Sequence, residues 1–333
     1  MTRNSRPDGR VVVTGSVAFD YLMRFPGRFV EHLIPDRLKR LSVSFLVDQM
    51  RRVPGGCGPN IAYGLALLGE RPYLLATAGH DAAEYRDALA AAGVDVAGLV
   101  LDPELFTASF FVSTDEDQNQ IASFYTGAMA RARELSIREH GGGTPAALVI
   151  VSPNDPEAMR RYADECRRLG IPFLYDPSQQ VARLTGEELL EGMRGAEILI
   201  VNDYELGIIA QKTALGIEAL EERVPVLVTT HGADGSTISV DTGSGRRVRH
   251  AVPAATLERE AEDPTGVGDA YRAGLVRGIR LALPWEVAGR MGSVAAVFGL
   301  EAMGPQPPRY SAADFRARYE RNFGAEPLLD RLA

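Results

Sequence analysis

Residues 263 to 269, Asp-Pro-Thr-Gly-Val-Gly-Asp, put a glycine-interrupted turn and a carboxylate at the head of an apolar helix. Gly266 and Gly268 leave the backbone bare. The first N–H groups of a helix have no internal partner and point outward, and the helix dipole adds partial positive charge there. Such a turn can hold an anion, most simply a phosphate. The N–H groups of Val267, Gly268 and Asp269 would stabilise charge developing on a transferred phosphoryl group. Asp269 would stand where a proton leaves an attacking hydroxyl, as a general base that the helix N-terminus keeps ionised at neutral pH. The chemistry indicated is phosphoryl transfer to an alcohol. The same Asp and glycines would also suit an ordinary helix start.

A second cluster, Gly55-Gly56-Cys57-Gly58-Pro59-Asn60, also runs into a helix. Its glycines permit close backbone approach to a ligand. The Asn60 amide suits vicinal sugar hydroxyls, although it could equally cap the helix, and Asp20 is an acceptor for the same hydroxyls. The chain has no Gly-x-x-x-x-Gly-Lys-Ser/Thr loop and no Gly-x-Gly-x-x-Gly after its first strand, which argues against a P-loop or dinucleotide enzyme. The histidines are scattered, and His231 reads as solvent-facing.

The elements that must carry these residues alternate. Strands are expected at Val11 to Val13, Tyr73 to Thr77, Ala147 to Val151, Phe173 to Tyr175, Ile198 to Val201 and Val226 to Thr229. Helices are expected at Pro59 to Leu68, Ala82 to Ala92 and Asp155 to Leu169, then Val267 to Leu281, Trp285 to Leu300 and Ala312 to Asn322. Asn154 or Asp155 caps the third of these helices, Pro156 suits its first turn and Gly170 closes it. Alternation of this kind predicts an α/β fold with a mainly parallel sheet covered by helices. Ligands of such sheets sit beyond the carboxyl ends of the strands, where Ser16, Asp20, Asp176, Asn202, Thr230 and the Asp263 loop fall. Two segments break the pattern. Phe25 to Arg52 lacks a helical period, and Thr107 to Thr114 with Gln120 to Tyr125 reads as a hairpin around Asp115-Glu116-Asp117. Both are expected to supply strands of a small β lid over the substrate site. The domain reading is a nucleotide-binding core of residues 10–18, 53–104 and 127–333, with a lid of residues 19–52 and 105–126.

Bulk properties narrow the class. With 333 residues, 45% hydrophobic and 24% charged, the composition is that of a globular protein. A net charge of −8 argues against a nucleic-acid partner. No apolar run approaches the ~18 residues of a membrane span, and the tail Met1 to Arg10 has no signal-peptide core. Two cysteines, Cys57 and Cys166, give neither a disulfide framework nor a zinc site and fit a reducing cytoplasm. Cys166 reads as buried. Cys57 reads as a small side chain that would be reactive if exposed.

The chain resembles the ribokinase-like carbohydrate and nucleoside kinases, the PfkB family. Gly55 to Gly79 carries the family's N-terminal pattern, with Asn60, Gly69 and Gly79. Asp263 to Val276 carries the C-terminal one, with Val267 where a small residue is usual. Asn202-Asp203-Tyr204-Glu205 matches the family's Asn-x-x-Glu motif. A narrower resemblance, to bacterial adenosine kinases of the actinobacterial type, rests on Val13 to Asp20, Phe25 to Phe29, Leu41 to Asp48, Gln120 to Tyr125, Asp176-Pro-Ser-Gln-Gln180 and the Asp263 stretch.

The resemblance implies a ribokinase-like three-layer α/β/α core, a cytoplasmic homodimer and ATP-dependent conversion of adenosine to AMP, a step of purine salvage. It implies Ser16, Asp20, Ser44, Gly56 and Asn60 around the ribose, and Phe110, Phe124, Gln179 and Gln180 near the base, with Arg183 close to the phosphate path. ATP would be served by Asn202, by the loop Thr230, His231, Gly232, Ala233, Asp234 and Gly235, and by Gly268. Glu205 would order Mg2+ through water, and K+ is a candidate monovalent cation. A glutamine amide pairs with adenine N6 and N7 and an aromatic face stacks on a base, although the phenylalanines also suit hairpin core and the glutamines a polar turn. Other acceptors in the same fold would be ribose, a hexose, fructose 6-phosphate or a broader nucleoside range. A non-catalytic nucleoside sensor would not need Asp269, Asn202 and Glu205 intact. The basic runs Arg37-Leu-Lys-Arg40 and Arg51-Arg52 read as a solvated lid face.

Overall fold

A computed structural model describes residues 9–32 and 42–332. Their strands are β1 (Arg10–Thr14), β2 (Ala18–Arg24), β3 (Gln49–Gly55), β4 (Tyr73–Gly79), β5 (Leu99–Asp102), β6 (Ala108–Thr114), β7 (Gln120–Tyr125), β8 (Ala146–Val151), β9 (Phe173–Tyr175), β10 (Ile198–Asn202), β11 (Val226–Thr230), β12 (Ser236–Asp241) and β13 (Arg247–Val252).

The large sheet runs β13-β12-β11-β10-β9-β8-β1-β4-β5. It is parallel from β11 to β5, and β12 and β13 add an antiparallel edge. Strands covered on both faces read as continuous apolar runs. Successive residues of β1 therefore enter opposite cores. Val11 and Val13 pack with Ile61, Leu65 and Leu275, while Val12 packs with Met159, Tyr162 and Leu189. Helices Cys57–Leu67 and Val267–Arg280 thus cover one face and helices Pro156–Leu169 and Gly186–Met193 the other. This is the expected three-layer arrangement. Among the described residues, no helix is long and apolar enough to cross a membrane.

Local signals place the helix ends. Asp155 accepts from the Glu157 and Ala158 N–H groups, Pro156 opens the helix, and Gly170 closes it in the left-handed region. Asn202 and Glu205 form a reciprocal capping box, which opens helix Asp203–Thr213 at the carboxyl end of β10.

The smaller sheet runs β3-β2-β6-β7. Its hairpin β6–β7 is the one expected, with Asp115 buried at the turn and accepting from the Phe29, Asp117 and Asn119 N–H groups. The other lid segment differs from expectation. Residues 25–48 contribute no strand among the described residues. Phe25, Phe29, His32 and Phe45 pack as an aromatic cluster around the one-turn helix Phe29–His32. The strands are β2 and β3 on either side of that segment. Leu41 and the basic run 37–40 lie outside the described residues. Strands β5, β12 and β13 were not expected either. β5 is four residues long, and β13 alternates Arg247 and Arg249 with short apolar residues.

Candidate active site

The carboxyl ends of β1, β8 and β9, the start of helix Val267–Arg280 and one face of the small sheet converge on a cavity of about 590 Å3. Ligand pockets commonly fall in this range. Of the residues expected at the acceptor, Ser16, Asp20, Gly56, Asn60, Phe110, Phe124, Gln179, Gln180 and Arg183 all line it, and so do Gly266, Gly268 and Asp269. Register explains the small sheet's share. Asp20, Phe110 and Phe124 pair in one row across β2, β6 and β7 and so share a face. Ser44 is not brought there; it lies exposed in the irregular segment before β3. Val267 does not line the cavity. Asn202 and Thr230 end β10 and β11 outside it. His231 and residues 232–235 form the turn between β11 and β12, and the His231 ring contacts Thr237 Oγ1 at 3.1 Å. His231 is therefore half-buried rather than solvent-facing.

The turn before helix Val267–Arg280 is built as the sequence suggests. Gly266 is left-handed (φ 75°), and a Cβ there would stand 2.6 Å from the Pro305 carbonyl oxygen. No side chain caps the helix. Asp263 accepts from the Thr265 N–H at 2.8 Å and from the Gly304 N–H at 3.1 Å, tying the turn to the loop after helix Trp285–Leu300. The Gly55–Gly58 cluster, whose Gly56 lines the cavity, has a further use. A Cβ on Gly56 would meet the Ser16 carbonyl at 2.3 Å, and one on Gly58 would meet the Gly15 carbonyl at 3.0 Å. These glycines also let two protein backbones approach each other.

Asp269 is buried and held. Asn60 Nδ2 donates to its Oδ2 at 2.9 Å, and the Cys57 thiol is a further partner. Asn60 Oδ1 accepts in turn from Gln306 Nε2 at 3.2 Å, which also bonds Tyr85 Oη at 2.6 Å. Asn60 therefore orients the Asp269 carboxylate as well as facing the cavity. Burial pushes the Asp269 carboxyl above the ordinary aspartate value, against the pull of Arg272 and the two hydrogen bonds. Desolvation thus opposes the helix-terminus effect and brings the group nearer the pH at which a general base works best. Burial first, then the charge of Asp263, pushes Asp20 up to about 6. Burial and the neighbouring carboxylates push the Cys57 thiol well up, which makes it unreactive rather than nucleophilic.

At the Asp176-Pro-Ser-Gln-Gln180 turn, Ser178 takes a positive φ of 39° and its hydroxyl donates to Glu205 Oε1 at 3.3 Å. Non-glycine residues in that region often mark functional sites. Gln180 is buried. Its Nε2 donates to the Asn154 carbonyl at 3.0 Å, which fixes the amide's orientation, and its Oε1 has no partner. Gln179 is exposed to the cavity, with Nε2 3.8 Å from Cys57 Sγ. Glu205 Oε2 accepts from the Asn202 N–H at 2.8 Å. Among the described residues no three metal-ligating side chains converge. One buried carboxylate suits only a magnesium ion that keeps its waters and arrives on phosphates.

Sequence reasoning missed Arg272, Gln306 and Tyr85. Arg272 lines the cavity three residues after Asp269, a spacing that puts both on one helix face. Gln306 and Tyr85 carried no local signal, being brought to Asn60 from distant segments.

Residues 13–312 match the model of the pfkB family of carbohydrate kinases. The chain is 31% identical over 323 residues to a nucleoside kinase of Methanothermobacter thermautotrophicus, covering 96% of this chain and 98% of that one. Its structure is similar to that of the Burkholderia thailandensis nucleoside kinase in complex with inosine, with a TM-score of 0.83, 35% identity and coverage of 95% of this chain and 99% of that one. The same Burkholderia protein in complex with ADP-inosine gives a TM-score of 0.81. The nucleoside kinase of Methanocaldococcus jannaschii, an archaeal member of the ribokinase family, gives 0.80 at 25% identity, over 94% of this chain and 99% of that one. The fold is that of a ribokinase-like kinase, and the chain belongs to the pfkB family.

Proposed function

We propose that the protein is an ATP-dependent nucleoside kinase that phosphorylates the 5′-hydroxyl of purine nucleosides, adenosine to AMP among them. The observation that carries this reading is Gln180 Oε1, a buried acceptor without a partner, in a cavity walled by Phe110 and Phe124 that also holds Asp269. Leaving such a group unpaired costs roughly 1–3 kcal/mol. A base N–H supplies the missing donor, either N6–H of adenine or N1–H of hypoxanthine or guanine. A plain sugar has no use for it. That the similar Burkholderia nucleoside kinase forms complexes with inosine supports a nucleoside as the acceptor here.

In the mechanism we infer, Ser16, Asp20 and Gly56 contact the ribose hydroxyls and Asn60 orients Asp269. Asp269 takes the 5′-hydroxyl proton as the 5′-oxygen bonds the γ-phosphorus. The bond to the β–γ bridging oxygen breaks, and ADP leaves. The Gly266–Gly268 turn faces the transferred group with its N–H donors. Asn202, Gly268 and the loop Thr230–Gly235 serve ATP and Arg183 lies along the phosphate path; Glu205 would hold, through water, a magnesium ion brought by ATP, which would supply positive charge against the phosphates. The small sheet acts as a lid that excludes water. Its outward face exposes Met50, Phe111, Ile121 and Tyr125, which supports a homodimer through that sheet; light scattering showing a monomer at assay concentration would refute it.

The test of function is ADP release with Mg·ATP over adenosine, inosine, guanosine, uridine, ribose and fructose 6-phosphate. Purine nucleosides should lead. Ribose or fructose 6-phosphate in front would overturn the base site while leaving the Asp269 chemistry standing.

A further inference from the structure

Arg272 has no task in the transfer described above, yet its guanidinium stands inside the reaction cavity. The residue is only 7% exposed. Nη2 donates to Asp176 Oδ1 at 2.7 Å, and Nε lies 2.5 Å from Asp176 Oδ2. Asp176 follows β9, and its side chain is wholly buried. One edge of the fork is therefore anchored to the central sheet. The other edge is free. Nη1 makes no hydrogen bond among the described residues and lies 2.6 Å from where a Cβ on Gly268 would stand. The second glycine of the turn is thus bare on the side occupied by this guanidinium, and any side chain there would displace it.

The charges around it are Asp176, Asp269 and Glu205, with the Cys57 thiol alongside. Burial works against the arginine's charge, but Asp176 and Asp269 more than offset it. An arginine stays protonated at any working pH. The site therefore holds a fixed cation with two unspent N–H donors beside the turn that faces the phosphates, one helical turn from the base. A purely structural ion pair has no need to expose donors to a ligand cavity. In phosphoryl transfer, charge spreads over the equatorial oxygens of the moving group, and a positioned arginine stabilises it.

We propose that Arg272 is a catalytic residue whose Nη1 donates to an equatorial oxygen of the γ-phosphoryl group as it passes from ATP to the 5′-oxygen, and that Asp176 is the positioning residue that holds the fork. This rests on the phosphoryl-transfer reading of Asp269. The bonds made and broken are those already given; Arg272 adds hydrogen bonds that strengthen as charge develops and gives up no proton.

The experiment compares wild type with Arg272→Met, Arg272→Lys, Asp176→Asn and the double variant Asp176→Asn/Arg272→Met. It measures kcat, both KM values, ADP affinity by calorimetry and thermal midpoint. Arg272→Met should lose about 100-fold or more in kcat, with the nucleoside KM and ADP affinity changed by less than about threefold, because the interaction is made mainly in the transition state. Added guanidinium ion should restore part of the rate. Arg272→Lys should retain charge but not the fork and recover only part of the loss. Asp176→Asn should lose less kcat than Arg272→Met. Removing one partner of a buried pair destabilises, whereas removing both is often tolerated. The double variant should therefore melt near wild type yet turn over as slowly as Arg272→Met. The deficit should persist as pH is raised to 9, whereas an Arg272 that only lowered the Asp269 pKa would give a deficit that shrinks.

A kcat within about fivefold of wild type, a loss carried wholly by KM, or a deficit that vanishes at pH 9 overturns the catalytic role. The last would leave Arg272 only tuning Asp269. A wild-type enzyme that releases no ADP with any acceptor overturns the kinase reading and this role together. A working wild type with an unimpaired Arg272→Met overturns this role alone.

Discussion

Asp269→Asn separates chemistry from scaffold. Asn is nearly isosteric and also favours helix N-termini, and its side-chain oxygen can still accept the bond from Asn60 Nδ2, now 2.9 Å long. The folded-state pKa of Asp269 is raised, chiefly by burial. Folding therefore favours its protonated form. The stability it contributes is full below the ordinary aspartate value and is lost as pH rises through the raised one. At pH 7 a neutral amide has no ionic stabilisation to forfeit, and Arg272 keeps its partner Asp176. The thermal midpoint should hold within about 2 °C or rise, since roughly 1 kcal/mol moves a domain of this size by a few degrees. Turnover should fall about 10²–10⁴-fold, which is roughly 3–5 kcal/mol of barrier at about 1.36 kcal/mol per decade. Coupled ADP release gives kcat, and differential scanning fluorimetry gives the midpoint. In wild type, the acidic limb of kcat/KM should lie above the ordinary aspartate pKa, because the base must be ionised and burial raises its pKa. Turnover within a few-fold of wild type would refute the base assignment. A midpoint drop of more than about 5 °C would mean that the ionised carboxylate is structural instead.

Gly266→Ala should cost about 1–3 kcal/mol and nearly all turnover, because a left-handed alanine is strained and its Cβ would collide with Pro305; an active, equally stable variant would show that the turn is more plastic than it looks. Replacing Gln179 and Gln180 together by alanine should raise the KM for adenosine far more than that for ATP, and equal losses would remove the base-site reading. Asp20 accepts from ribose hydroxyls only when ionised and is pushed up to about 6, so the nucleoside KM should rise as pH falls through that value. Asp20→Asn should raise the KM throughout and flatten its pH dependence. A wild-type KM that stays level from pH 8 to pH 5 would exclude that role.

The sequence by itself determined a great deal here. Motifs contiguous in the chain, Asp263 to Asp269 and Asn202 to Glu205, carry their geometry locally, since turn, cap and helix lie within a few residues. The apolar stretches Trp285–Leu300 and Phe173–Tyr175 read as a helix and a strand with the bounds that the structure gives them. Contacts between distant segments were decided only by the tertiary structure. Asn60 reads as a sugar contact from its amide alone, yet it binds Asp269, 209 residues away, and answers to Gln306 and Tyr85. The Gly55–Gly58 cluster reads as room for a ligand; Gly56 does line the cavity, but only the structure shows that Gly56 and Gly58 also make room for the Gly15–Ser16 backbone. Arg272 reads as one more charged helix residue until Asp176 meets it across the sheet. The sign of the Asp269 shift was likewise out of local reach. The helix terminus lowers the pKa and is visible in the chain, whereas the desolvation that outweighs it comes from everything folded around the carboxylate.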